Sequence, residues 1–363
     1  MDGAKTTSTS LSVPVTEIAA AVEFLRTEGG FDLLRIHPAD APREARLVRD
    51  GTLLDLRVGT PTGVTIVIER SGTAESEPTD THGPDGIVLR LTDAARLTVP
   101  PVIEENSVGA GDADGRWHVG RAGMEYRDLV PSRLGGAVIA SNIRIRDAGP
   151  VPDYVHHHDV LFQLIFCRRG WVKVVYEDQG EPFVLRAGDC VIQPPGIRHR
   201  VLENSAGMEV VEIGYPAEHM TLVEHEMKLP NGSAPARSWH GQTFIRHDES
   251  NRSWTSIGDG IERTDTGVYD ATLGLADVDV LRLRSGSVLE LEPTVSAGRP
   301  RLVVVLEGHG SVRLLGEDHV LSEGATLSLR SEERARITAE VDTVLLRVRI
   351  DASHGVDHWR PIA

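Results

Sequence analysis

Apolar and polar residues alternate over short stretches along most of the chain, which is the pattern of β-strands with one buried face. Val64 to Ile68 and Ile87 to Leu91 are clear examples. Glycine and proline residues, 36 and 20 of the 363, separate such stretches and are typical of tight turns. The pattern therefore predicts an all-β fold of the sandwich or barrel type.

One stretch near the N-terminus has the period of an α-helix instead. Ile18, Val22 and Leu25 fall on one helical face, Thr16 is the expected N-cap, and Gly29-Gly30 should end the helix. We therefore expect one helix followed by strands in the first hundred or so residues, where we find no catalytic signature.

The rest of the chain contains an internal repeat. Four features recur 136 to 138 residues later: Gly123–Asp128 as Gly260–Asp265, Ile143–Arg146 as Leu281–Arg284, Gly170 as Gly308, and Gly188 as Gly324. This offset is too long for a solenoid unit and indicates two copies of one β-domain. We therefore predict an N-terminal extension at residues 1–116, a first barrel at 117–232 and a second barrel at 233–363.

Three consecutive histidines, His156, His157 and His158, carry the strongest chemical signal. Alternate side chains of a strand share a face, so His156 and His158 point the same way and His157 points away. Two imidazoles on one face are a chelating pair. They begin the pattern His-x-His-x4-Gln-x6-Gly, followed after 17 residues by Gly-x5-Pro-x-Gly-x2-His, which runs through Gln163 to His199.

This pattern closely resembles the two motifs of the cupin superfamily. The resemblance implies a jelly-roll barrel (a double-stranded β-helix) with a metal ion held by His156, His158 and His199. With the internal repeat, it implies a bicupin with a mixed N-terminal extension. Gln163 stands where the family has a glutamate; it either binds the metal weakly through its amide oxygen or hydrogen-bonds a ligand.

Three neutral histidines leave the charge of a divalent ion uncompensated, because an amide lacks the negative charge of a glutamate. An anionic substrate that chelates the ion would supply it, as in the three-histidine cupin dioxygenases that this arrangement resembles. We expect a non-haem oxygenase acting on a small anionic organic molecule, with Fe(II) preferred and Ni, Mn, Co, Cu or Zn as alternatives. An oxygen-independent isomerase, cyclase or lyase and a non-catalytic small-molecule-binding cupin remain open.

Other residues near the motif are candidates for catalysis beside Gln163. Tyr126 would line a substrate pocket, and Arg198 would pair with an anionic substrate; packing and surface exposure are their alternative roles. Glu212 alternates with apolar neighbours, which favours an outward side chain. His219 and His225 fall in an expected helix after the barrel, on different faces.

The second copy lacks the ligands of the first. At the repeat offset, His156 and His158 fall near Pro293 to Ser296, Gln163 falls near Arg301, and His199 falls on Ala335. We therefore expect no metal in the second barrel, and a role in packing or dimerisation. A small-anion site formed by Arg301 with Arg334 or Arg336 is the alternative.

Composition limits the choice of partner. The formal net charge of −16 argues against nucleic acid, which requires a concentrated basic surface. No apolar stretch is long enough for a membrane helix, and the polar N-terminus does not resemble a signal peptide. Two cysteines, Cys167 and Cys190, imply no disulfide framework. We expect a cytoplasmic homodimer whose partner is a small-molecule substrate.

Overall fold

The computed structural model describes residues 8–70, 77–93, 99–113, 115–294 and 298–352. They divide into two compact units, one within residues 1–96 and the other within residues 97–363. The described part of the first unit has one α-helix, α1 (Ile18–Thr27), and seven strands: β1 (Leu11–Val15), β2 (Asp32–His37), β3 (Glu44–Arg49), β4 (Thr52–Val58), β5 (Val64–Arg70), β6 (Thr79–His82) and β7 (Ile87–Asp93).

The helix of the first unit buries the apolar face that the sequence predicted. Ile18, Val22 and Leu25 are buried in one core with the four-stranded sheet β1-β4-β3-β2 and with residues of the three-stranded sheet β5-β7-β6. The N-cap is Glu17, whose carboxylate accepts the Ala20 N–H, and not Thr16 as predicted. The hydroxyl of Thr16 donates to Asp85 instead.

The second unit begins with β8 (Ser107–Val108) and continues into a first barrel. Its elements are β9 (His118–Val119), β10 (Glu125–Asp128), α2 (Arg133–Gly136), β11 (Ile139–Ile145), β12 (Gly149–Pro150), β13 (His156–His158), β14 (Phe162–Arg169), β15 (Trp171–Tyr176), β16 (Phe183–Arg186), β17 (Cys190–Ile192), β18 (His199–Asn204), β19 (Met208–Tyr215) and β20 (Thr221–Val223).

Three short strands lead to the second barrel: β21 (Ser238–Trp239), β22 (Gln242–Thr243) and β23 (Arg246–His247). The second barrel consists of β24 (Thr255–Gly258), β25 (Ile261–Asp265), α3 (Val268–Ala271), β26 (Ala276–Leu283), β27 (Val288–Leu291), β28 (Arg301–Glu307), β29 (Gly310–Leu314), β30 (Glu317–Leu321), β31 (Thr326–Leu329), β32 (Ala335–Ala339) and β33 (Thr343–Ile350). None of the helices in the described ranges is long and apolar enough to span a membrane.

Both barrels are jelly rolls built from two sheets, and the strand order repeats. The seven-stranded sheet β23-β17-β14-β19-β11-β10-β9 of the first barrel corresponds to β8-β31-β28-β33-β26-β25-β24 of the second. The smaller sheet contains β16-β15-β18-β13-β20 in the first barrel and β30-β29-β32-β27 in the second. The all-β, duplicated jelly-roll fold predicted from the sequence is therefore confirmed. The predicted boundaries after residues 116 and 232 stay predictions.

The two large sheets share one apolar core. Phe166 and Val211, from β14 and β19, lie in the same cluster of buried side chains as Val304 and Val348, from β28 and β33. Burying a large apolar side chain contributes about 1.5–3 kcal/mol, so this shared core holds the barrels together. It also means that both faces of β14 and β19 are buried.

Each barrel receives a short strand from the segment that precedes the other. β8 pairs with β31 of the second barrel, and β23 pairs with β17 of the first. These segments explain two glycines of the repeat. Gly188 and Gly324 have φ values of +95° and +79°, and a Cβ atom on either would collide with Glu249 or Asp112 respectively.

Candidate metal centre

Three histidines meet inside the first barrel. His156 and His158 lie on β13, and His156 is the direct cross-strand neighbour of His199 on β18. One nitrogen from each ring lies within 4.8 Å of the others. The turn before β18 contains Gly196 at φ +77°, and its N–H donates to the His158 carbonyl over 3.0 Å. The sequence pattern thus predicted which side chains would come together.

Hydrogen bonds orient the three rings. The Nδ1 atoms of His156 and His199 lie 2.8 and 3.0 Å from the carbonyls of Tyr154 and Ile197. A carbonyl can only accept, so Nδ1 carries the proton in both rings and Nε2 keeps its lone pair. Nδ1 of His158 lies 3.0 Å from the Thr221 hydroxyl, which can accept in the same way. This is how metal-ligating histidines are commonly oriented.

The surroundings of the triad suit a metal ion. Nε2 of His156 is buried without a hydrogen-bond partner among the described residues. Burial lowers the pKa of His156 and lowers the pKa values of His158 and His199 well below their ordinary value. All three rings are therefore neutral at pH 7, the form in which imidazole binds a divalent ion. The residues present thus fit a divalent metal.

Gln163 is buried beside Glu212, on the neighbouring strand β19. Its Nε2 donates to a carboxylate oxygen of Glu212 over 2.6 Å, and its Oε1 is buried without a partner in the described structure. Both side chains line the same cavity as His158 and His199. The expected outward orientation of Glu212 is therefore wrong. Alternation misled because the opposite face of β19 is buried as well, against the second barrel.

The other predicted residues divide between the cavity and its outside. Tyr126 lines the cavity, and burial, with the nearby Glu212 carboxylate, raises the pKa of its phenol. Arg198 does not line it: its guanidinium contacts the Glu224 carboxylate and the Gly196 carbonyl. His157 also lies outside the cavity lining.

The cavity lining includes polar residues that the sequence did not assign to it, among them Arg121 and His219. Arg121 lines the cavity and donates from Nη1 to the buried carboxylate of Asp153, which also accepts the Val201 N–H. His219 also lines the cavity, and its ring centroid lies 5.3 Å from that of His158. The expected helix around His219 is absent, because residues 221–223 form β20 beside β13. No sequence signal identified Arg121.

The cavity has a volume of about 400 Å³ and walls that are mostly apolar. Ile165, Val174 and Val201 are typical of its walls. Ligand pockets of roughly 300–1,000 Å³ with a few convergent polar groups are typical of small-molecule sites. Neither cysteine belongs to it: both are buried, and burial raises the pKa of Cys167 and of Cys190 to about 12.

The second barrel has other residues at the matching positions. Ala335 pairs with Leu291 across two strands, just as His199 pairs with His156 in the first barrel, so Leu291 occupies the position of His156. This position lies two residues before the predicted range Pro293 to Ser296. Ser296 itself lies outside the described residues. Arg301 replaces Gln163, as predicted, and donates to the carbonyls of Glu292, Arg330 and Glu333. Arg334 and Arg336 are paired with Glu292 and Glu290, so neither joins Arg301 at an anion site.

Comparison with known proteins supports this fold. Residues 147–214 match the family model of the cupin domain. The structure is similar to salicylate 1,2-dioxygenase from Pseudoaminobacter salicylatoxidans as adducts with gentisate, with a TM-score of 0.52 and 16% identity over 70% of this chain and 83% of that chain. It is also similar to the oxalate decarboxylase formate complex from Lactobacillus farciminis, with a TM-score of 0.51 and 12% identity over 70% and 89%. A search of curated proteins found no match.

Proposed function

We propose that this chain, which belongs to the cupin superfamily, is a non-haem Fe(II) oxygenase acting on a small anionic organic molecule. The observation that carries the proposal is the triad of neutral histidines, with hydrogen bonds at Nδ1 that leave Nε2 free. Two of the three, His158 and His199, line a largely apolar cavity. Imidazole ligands suit iron, although nickel, manganese, cobalt, copper and zinc are alternatives.

The proposal gives a role to the metal-binding histidines and to Arg121. His156, His158 and His199 would hold the ion, which when bound would supply the redox chemistry that a reaction with O2 requires. Arg121 would bind the anionic group of the substrate, because Asp153 occupies only one of its amines and a guanidinium has five donors. This is the role that the sequence suggested for Arg198, whose side chain lies outside the cavity.

Gln163 and Glu212 form a second functional pair in the proposal. Because its amide N–H donates to Glu212, the Oε1 atom of Gln163 is directed away from that carboxylate. This oxygen can accept from a hydroxyl group of the substrate or bind the ion weakly. Tyr126 keeps its proton because its pKa is raised, so it can donate to a bound oxyanion.

The experiment is anaerobic reconstitution with Fe(II), followed by elemental analysis and by O2-uptake assays on a panel of small organic acids. We expect one iron per chain and O2 consumption matched to product formation. The His199→Ala variant is the control, and it should show neither. Absence of iron binding in the wild-type protein would contradict the proposal.

An oxygen-independent isomerase, cyclase or lyase is the second candidate, and Glu212 favours it. A carboxylate facing the cavity is a suitable proton acceptor for such reactions. Full turnover of the metal-loaded protein without O2 would select this candidate. Tight binding of an acid without turnover under either atmosphere would select a binding protein.

We also propose that the chain is a cytoplasmic homodimer, as expected from its sequence. Light scattering of the purified protein tests the dimer. A mass of one chain, 39.5 kDa, would exclude it.

A further inference from the structure

We infer that the substrate is an amphiphilic monoacid, with a small anionic head at the histidine end of the cavity and an uncharged apolar body that fills the other end. The inference rests on the proposed function, because it brings the head to the metal centre. It adds the chemical class of the rest of the molecule.

The register of the strands separates the cavity into two ends. On β18 and β15, His199 is the neighbour of Tyr176, and two residues along, Val201 is the neighbour of Val174. Side chains two residues apart share a face, so each strand that presents a polar residue at one end presents an apolar one next to it. On β14, Gln163 is likewise followed by Ile165 among the cavity residues.

The other end of the cavity is lined chiefly by uncharged side chains. Its walls combine aliphatic and thioether side chains from four strands, namely Ile143, Ile165, Val172, Val174, Met208 and Val210. On β19 the cavity-lining residues are Met208, Val210 and Glu212, in chain order. The Glu212 carboxylate therefore lies on the side of the polar end, and Met208 lies farthest from it. An apolar ligand body gains free energy there, whereas a charged group would be buried without a partner.

The volume sets the size of the molecule. At roughly 30 Å³ for a water-sized group, a cavity of 400 Å³ holds about a dozen non-hydrogen atoms. A 2-oxo acid is one example of a monoacid whose head can chelate a metal ion, and its carboxylate and ketone groups account for about five of these atoms. The remaining space fits a single ring or a chain of about six carbons.

The charges limit the substrate to one acidic group. Arg121 is the one arginine or lysine among the described residues that line the cavity, and it already contacts Asp153. Glu212 and Glu218, the two carboxylates in the cavity lining, would repel a second anion. A dicarboxylate therefore has no favourable place for its second charge.

The test is a binding series on the Fe(II)-loaded protein under anaerobic conditions, measured by calorimetry. The probes are straight-chain 2-oxo acids from three to ten carbons. We expect the affinity to rise about threefold to fourfold for each added methylene, and to stop rising at about eight carbons, where the cavity is full. A flat or falling series would overturn the inference.

Two matched comparisons sharpen the test. 2-Oxoglutarate should bind at least about 100-fold more weakly than 2-oxohexanoate, because its distal carboxylate would lie in the apolar end. Val174→Phe should shorten the optimal chain by several carbons, whereas Val320→Phe, on a side chain that is 76% exposed, should not. Equal affinity for 2-oxoglutarate and 2-oxohexanoate would overturn the inference.

Metal analysis of the same samples distinguishes failure of the proposed function from failure of the inference about the substrate. If the wild-type protein takes up no metal, the proposed function fails. If it takes up one equivalent and the acids bind without dependence on chain length, only the inference fails.

Discussion

The two barrels have the same strands in the same order, but opposite interiors. The first contains a cavity of about 400 Å³, whereas the interior of the second is filled with a cluster of buried aliphatic side chains. Matching positions show the exchange: His156 corresponds to Leu291, His199 to Ala335, and Tyr176 to Leu314.

This difference separates the residues that make the fold from those that make the site. The glycine turns, the inter-barrel core and the exchanged short strands are shared by both copies. The inward positions of the smaller sheet and of β14 and β19 are not shared. A jelly roll can thus lose every ligand and keep its topology, provided that apolar side chains fill the space.

The largest effect, on metal affinity, should follow from replacing one ligand of the first barrel by the residue at the matching position of the second. His199→Ala copies Ala335 and removes one of three ligands. Losing a hydrogen-bond partner of a ligand typically costs about 10–100-fold in metal affinity, so losing the ligand itself should cost more than about 100-fold. Metal titration of the variant, alongside circular dichroism to check folding, measures this.

His157→Ala is the matched control, because His157 lies on the same strand but outside the cavity lining. It should retain one metal per chain. Retention of a full equivalent by folded His199→Ala protein would refute the ligand assignment.

The next effect concerns Gln163, whose amide stands where the cupin motif has a glutamate. Gln163→Glu puts a second carboxylate against Glu212, across a contact of 2.6 Å. The variant should still bind metal, but bind an anionic ligand about 30-fold more weakly at pH 8. That is about 2 kcal/mol, the repulsion of two charges roughly 8 Å apart at an effective dielectric constant of about 20.

The sign of the pH dependence is fixed by the pair. Two adjacent carboxylates raise the pKa of one member, so below that pKa the pair holds a proton and the extra charge is gone. The loss in affinity should therefore shrink as the pH falls. Gln163→Glu/Glu212→Gln exchanges the two groups and should restore affinity; no restoration would mean that charge is not the cause.

The sequence predicted the topology and the triad because both depend on local patterns. Strand alternation, glycine turns and the spacing of His156, His158 and His199 are readable along the chain. The orientation of the Glu212 side chain could not be predicted in this way. Alternation identifies a buried face only when the other face is exposed, and β19 is covered on both sides.

Other misses had a different origin. Arg121 and His219 reach the cavity from segments outside the repeated motif, so no spacing relates them to the triad. Arg198 shows the converse error: adjacency to His199 in sequence puts its side chain on the opposite face of the chain. Long-range placement of loops depends on packing that a local pattern does not contain.

A smaller effect should follow from the hydrogen bond to His158. Thr221→Val removes the hydroxyl that lies 3.0 Å from Nδ1, so the ring loses a constraint on its orientation and tautomer. We expect metal affinity to fall about tenfold. Thr221→Ser retains the hydroxyl and should bind metal as the wild type does. Equal affinities in all three proteins would mean that this bond does not orient the ring.

The smallest effect tests the two interiors directly. Val174 and Val312 occupy matching positions on β15 and β29, but Val174 lines the cavity and Val312 is fully buried in the filled core. Truncating a packed side chain costs its transfer free energy and a further amount for the cavity that is left, whereas a side chain beside an existing cavity lacks most of the second cost. Val312→Ala should therefore lower the free energy of unfolding by about 2 kcal/mol and Val174→Ala by about 1 kcal/mol. Urea denaturation of the two variants in parallel measures the difference, and equal losses would mean that the first barrel is packed as tightly as the second.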